Sequence, residues 1–161
     1  MFSGIIAFIF VMWKSLHTCP AGSGNINITS GFKDIQLLLL SGSGNINLNG
    51  DCILNKLEAN IVGSGNINAT GNSTVQNLTT RISGSGNIHL SQLKAKVADC
   101  SISGSGRMNV FIEDTLEASV SGSGDIEYEG TPRVDSHVSG SGNVYKNWKV
   151  DFRLGKRAYL C

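Results

Sequence analysis

Leu57-Glu58-Ala59-Asn60-Ile61-Val62-Gly63-Ser64-Gly65-Asn66-Ile67-Asn68-Ala69 holds a period-two run, a glycine corner and a second period-two run. Before the corner Leu57, Ala59 and Ile61 alternate with Glu58 and Asn60; after it Ile67 and Ala69 alternate with Asn66 and Asn68. Such alternation marks strands with one face buried and one wet, whereas a helix needs apolar residues three and four apart. The unit is a pair of half-buried strands hinged on Gly-Ser-Gly.

The unit recurs. Gly-Ser-Gly begins at Gly22, Gly42, Gly63, Gly84, Gly104, Gly122 and Gly140, at spacings of 20, 21, 21, 20, 18 and 18 residues, and takes fourteen of the twenty glycines. A repeat this short cannot bury an apolar face alone and becomes stable by stacking on its neighbours. Laid over one another, the repeats give an isoleucine column of Ile26, Ile46, Ile67, Ile88, Met108, Ile126 and Val144. A second column holds Leu40, Ile61, Ile82, Ile102, Val120 and Val138, and a third, of mostly small residues, holds Leu38, Ala59, Thr80, Cys100, Ala118 and Ser136. The predicted fold is all-β: a right-handed parallel β-solenoid of about seven coils, 18–21 residues each. With coils about 4.7–4.9 Å apart, the rod would be roughly 30 Å long. Ile67→Asp would place a charge in the central ladder and collapse the fold, while Asn68→Asp, facing solvent, would barely matter.

Composition narrows the function. The 161 residues are 40% hydrophobic and 16% charged, with a net charge of +1. That balance opposes disorder and supplies no basic patch for counterion release from nucleic acid, so no nucleic-acid partner is expected. The glycine motif lacks the third glycine and following helix of a dinucleotide site. Its period also differs from that of the calcium-binding nonapeptide roll.

The repeated Gly-Ser-Gly-Asn/Asp-Ile motif has a specific ending. Ser121-Gly122-Ser123-Gly124-Asp125-Ile126-Glu127-Tyr128 is followed by Gly130-Thr131-Pro132-Arg133-Val134 and Val138-Ser139-Gly140-Ser141-Gly142. Over residues 22–146 the chain resembles the auto-transporter adhesin head GIN domain family. The resemblance implies a β-solenoid from extracytoplasmic, mainly bacterial proteins, assigned to adhesion by analogy, with no established catalytic residues. Its members usually carry further β-rich sequence ahead of the repeats.

The expected organisation is an apolar amino-terminal segment (1–21), a repeat domain (22–146) and a basic carboxyl-terminal cap or tail (147–161). The apolar run 5–13 is too short to span a bilayer and fits a signal-peptide core, with cleavage near Ala21; no Lys or Arg precedes it. The alternative is a cap, because the first coil, with Gln36-Leu37-Leu38-Leu39-Leu40, would otherwise present an open edge. Upstream sequence or a second subunit would serve as well. Membrane contact would come only through this segment, if uncleaved. At the other end Lys146, Lys149, Asp151, Arg153, Lys156 and Arg157 would discourage edge-to-edge pairing.

No catalytic, cofactor-binding or metal-ligating residues stand out. Cys100 reads as a small buried hydrophobe, Cys52 lies in the connection between strands, and two coil steps are too far for a bridge between them. A pair between Cys19 and Cys161 is opposed by the rod. Asn27, Asn68, Asn72 and Asn77 head Asn-x-Ser/Thr acceptors. The late carboxylates Glu113, Asp114, Glu117, Asp125, Glu127, Glu129 and Asp135 would suit a calcium- or polysaccharide-binding β-helix, with Asp125, Glu127 and Glu129 on one strand face. Short connections leave no groove for a polysaccharide-active enzyme. His89 and His137 fall in outward slots. The leading expectation is a non-catalytic, secreted or surface adhesion module whose rows of outward Asn, Ser, His and Thr contact glycan or protein through many weak contacts. An ice- or polymer-binding array would need one residue type along a row, but Asn27, Asn47, Asn68, His89, Asn109, Glu127 and Tyr145 differ.

Overall fold

The computed structural model describes residues 7–8, 16–18, 21–29 and 35–147. The expectations for Cys19, Cys161 and the tail charges beyond Lys146 fall outside these residues. The described strands are β1 (Ala7–Phe8), β2 (Leu16–Thr18), β3 (Ala21–Gly22), β4 (Asn25–Thr29), β5 (Ile35–Gly42), β6 (Asn45–Asn49) and β7 (Ile53–Gly63). They continue as β8 (Asn66–Thr70), β9 (Ser73–Gly84), β10 (Asn87–Gly104), β11 (Arg107–Gly122), β12 (Asp125–Gly130), β13 (Arg133–Gly140) and β14 (Asn143–Lys146). Every pairing is parallel, and each strand pairs one repeat up or down the chain. The result is a β-solenoid of about six turns, close to the seven coils expected from the motif count.

The three columns are the core. Ile46 pairs with Ile67 and Ile67 with Ile88. Ile61 pairs with Ile82 and Ile82 with Ile102. All of these are buried. Like residues stack on like because a parallel rung repeats its neighbour's side-chain directions one rise above. The small column admits polarity: Thr80 is fully buried, and its hydroxyl donates to Met108 Sδ at 2.9 Å. Cys52 and Cys100 are buried free thiols.

Each coil turns more often than the alternation implies. One corner is Gly-Ser-Gly, and a second follows the Asn-Ile-Asn strand at Gly50 or Gly71, both with positive φ. A third lies inside the long strands, where Asn55-Lys56, Gln76-Asn77 and Lys96-Val97 each put two successive residues outward. Wall one therefore carries β4, β6, β8, β12, β14 and the first residues of β10 and β11. A short wall two precedes the third corner, and wall three carries β5, β13 and the ends of β7, β9, β10 and β11. Leu90 pairs with Val110, but Lys94 pairs with Phe111, so Ser91, Gln92 and Leu93 have no counterpart one rung on. This loss removes the second corner from that rung and, with one residue regained where Glu113 and Asp114 stand against the single Lys96, explains the fall in period from 20 to 18.

The Gly-Ser-Gly corner needs glycine for two reasons, seen at Gly84. Its φ is +129°, and a Cβ there would lie 2.3 Å from the carbonyl oxygen of Gly63 on the rung below. The backbone oxygen occupies the space a side chain would take.

Of the amino segment, the described residues 7–8, 16–18 and 21 lie along the first coil's edge. β1 pairs with β4, β2 and β3 pair with β5, all in parallel register.

Candidate binding face

The outward residues of wall one form axial ladders. Asn45 Nδ2 donates to Asn25 Oδ1 at 2.8 Å, Asn66 Nδ2 to Asn45 Oδ1 at 2.8 Å, and Asn87 Nδ2 to Asn66 Oδ1 at 2.9 Å. In the next row Asn47 Nδ2 donates to Asn27 Oδ1 at 2.8 Å and Asn68 Nδ2 to Asn47 Oδ1 at 2.9 Å. An asparagine repeated at each rung presents its amide donor to the acceptor one rise away. These side chains face out as expected. All but the exposed Asn25 are nevertheless half-buried, and much of their bonding capacity is spent along the axis.

The ladders change chemistry late without opening. Arg107 follows Asn87 and lies 4.0 Å from Asp125, which also accepts from Asn143 N and Nδ2 at 3.2 Å. In the second row His89 Nδ1 meets Asn109 Oδ1 at 3.2 Å, and Asn109 Nδ2 donates to Glu127. Asp125, Glu127 and Glu129 alternate along β12 with Ile126 and Tyr128, which pack toward the core. Asp125 and Glu127 thus serve as rungs of internal ladders. Among the described residues no group of three or more His, Cys, Asp or Glu is placed to hold a metal ion.

Wall three differs. Over coils four to six its outward positions make a three-by-three lattice. Asp99, Glu117 and Asp135 form one row, Ser101, Ser119 and His137 the next, and Ser103, Ser121 and Ser139 the third. Members of a row stand about 4.8 Å apart along the axis, and the rows lie about 6.7 Å apart along the strands. All nine are exposed except the half-buried Ser101. None of their side chains makes a hydrogen bond to another side chain among the described residues. One coil lower the pattern stops: Arg81 stands in the serine row, and earlier still Asn60 Nδ2 donates to Glu58 at 2.8 Å.

Of the carboxylates singled out in the sequence, Glu117 and Asp135 join this lattice, while Asp125 and Glu127 belong to wall one. Glu113 and Asp114 are exposed at the third corner. His137 is in the lattice and His89 is not. Sequence reasoning misses Asp99, although its place between the buried Ala98 and Cys100 gives it away once columns are drawn. Of the glycan-acceptor asparagines, Asn72 and Asn77 are exposed, whereas Asn68 commits its amide nitrogen to Asn47.

The geometry defines a class: a parallel β-solenoid with one self-bonded polar wall and one open polar wall. The family model described as "Putative auto-transporter adhesin, head GIN domain" matches residues 7–132, and the chain belongs to that family. A crystal structure described as a putative adhesin from Parabacteroides distasonis is similar at 25% identity and a TM-score of 0.69, with 83% of this chain and 60% of that one covered. Another, described as a putative adhesin from Parabacteroides merdae, gives 25% identity and a TM-score of 0.61, covering 81% of this chain and 57% of that one. The chain spans about three-fifths of the length of these structures. No curated protein matches it.

Proposed function

We propose that the protein is a non-catalytic, extracytoplasmic adhesion module whose contact surface is the wall-three lattice of Asp99, Glu117, Asp135, Ser101, Ser119, His137, Ser103, Ser121 and Ser139. The carrying observation is the contrast between walls. The wall-one amides bond to one another along the axis, whereas the lattice hydroxyls and carboxylates keep their bonding capacity for a partner. Family membership and the adhesin neighbours support the reading. Like charges stacked in register oppose folding, so the row Asp99, Glu117 and Asp135 weakens the rod it sits on. Contact with a partner rich in hydroxyl or basic groups would offset that cost, and regular spacing lets many weak contacts act together. A surface glycan suits both rows, since sugar hydroxyls donate to carboxylates and exchange bonds with serines.

The test is a glycan array probed with the purified chain, with and without calcium, beside a Ser101→Arg/Ser119→Arg variant and a wall-one Asn45→Ser variant. Binding should fall at least about tenfold in the first and persist in the second, a difference of about 1.4 kcal/mol. Binding that survives the arginines, or a hydrolysed glycan, would refute the proposal.

A further inference from the structure

Arg81 stands at the foot of the wall-three lattice. It pairs in register with Asn60 below and Ser101 above, so it fills the serine row one rung before the serines begin. Arg81 is exposed, and among the described residues its guanidinium makes no ion pair. The carboxylates nearest by register are Glu58 and Asp99, each one diagonal step away, about 8 Å between Cα atoms. Glu58 is already engaged, by Lys56 at 4.0 Å and by Asn60 Nδ2 at 2.8 Å.

One rung below Arg81 lies an unanswered acceptor. Asn60 Oδ1 is buried and has no hydrogen-bond partner, while the amide nitrogen of the same side chain is committed to Glu58. A buried acceptor without a donor is costly, and the five-donor guanidinium one rung above is in register to supply one. With one N–H lowered onto Asn60 Oδ1, Arg81 is held in place and keeps the outer edge of its fork for a planar anion, gripped through two parallel bonds.

We infer that Arg81 is the anion-reading end of the lattice: the ligand is a glycan ending in one carboxylate-bearing sugar, which sits on Arg81, with Asn60 as positioning residue. Its neutral sugars run up the serine rows. This rests on the wall-three contact surface proposed above and adds the chemistry and direction of its ligand. Asp99, Glu117 and Asp135 limit the charge that ligand carries. They stack on successive rungs beside the serines, so a chain acidic at every sugar meets repulsion at each rung. A single terminal carboxylate at Arg81 lies one rung before that row begins.

A glycan array probed with the purified full chain tests this. It holds neutral N-acetyllactosamine chains, the same chains ended by sialic or glucuronic acid, and oligogalacturonate, which bears a carboxylate on every sugar. Acid-ended chains should bind at least about tenfold tighter than neutral ones, and oligogalacturonate more weakly than either. Arg81→Ala should erase that preference and leave neutral binding within about twofold, which also shows the variant is folded. Arg81→Lys, which keeps the charge and loses the fork, should reduce the preference to about threefold. Asn60→Ala should lower it at least about threefold with neutral binding unchanged, a ratio that a general loss of stability would not move. Neutral binding with no acid preference, or a preference that survives Arg81→Ala, would overturn this inference and leave the contact surface standing. Oligogalacturonate bound as tightly as the acid-ended chains would overturn it too. Absence of binding to every chain would overturn both readings.

Discussion

Replacing Gly84 by alanine isolates what holds adjacent rungs at their spacing. Two costs arise. At φ +129° an L-residue sits in a region nearly reserved for glycine, which costs about 1–3 kcal/mol. The new Cβ would also lie 2.3 Å from Gly63 O, about 1 Å inside ordinary contact. That oxygen already accepts the Ser85 amide at 3.0 Å. Moving it away weakens the bond and parts the rungs, adding about 1–2 kcal/mol. Gly22 separates the two costs, because its φ is +118° but a Cβ added there would meet nothing within 4 Å. Gly22→Ala should therefore cost about 1–3 kcal/mol, and Gly84→Ala about 2–5 kcal/mol. Urea denaturation followed by far-ultraviolet circular dichroism gives both values. Equal costs would refute the close-approach argument, and a Gly84→Ala chain as stable as the parent would refute both contributions.

Ile67→Asp puts a carboxylate between Ile46 and Ile88 at a fully buried position and should cost more than about 4 kcal/mol, seen as loss of the strand dichroism at about 25 °C. Asn68→Asp, which alternation alone treats as neutral, removes the donor to Asn47 Oδ1 and sets a carboxylate against an amide oxygen; urea midpoints should show a loss of about 1 kcal/mol. Burial pushes the Cys100 thiol up to about 12, opposed by its hydrogen bond with Thr80 and aided by Asp99. An unfolded thiol ionises first as pH rises, so this group's contribution is complete below about pH 8.5 and is lost as pH climbs toward 12. Between about pH 8 and 10 the parent should lose about 1–2 kcal/mol that Cys100→Ala does not, and parallel pH profiles would contradict the assignment.

The solenoid was legible because its code is local and repeated. Ile26, Ile46, Ile67 and Ile88 recur at the same distance from a glycine corner, and period two assigns each to the inside without knowledge of its neighbours. The same arithmetic ordered Leu38, Ala59, Thr80 and Cys100 into one column and placed His89 and His137 outside. It could not separate Asn45 from Ser119, since both occupy outward slots. Only stacking shows that Asn45 meets a matching amide on each side while Ser119 lies between Ser101 and His137. The third corner at Lys96-Val97 and the three residues dropped after Leu90 were hidden for a related reason: a bend inside a continuous strand changes no residue class strongly. Sequence by itself determined the rungs and their inward residues, because burial follows from hydrophobic alternation within one strand. The tertiary structure decided which polar wall is closed and which is open, because a side-chain hydrogen bond depends on what stands one rung away.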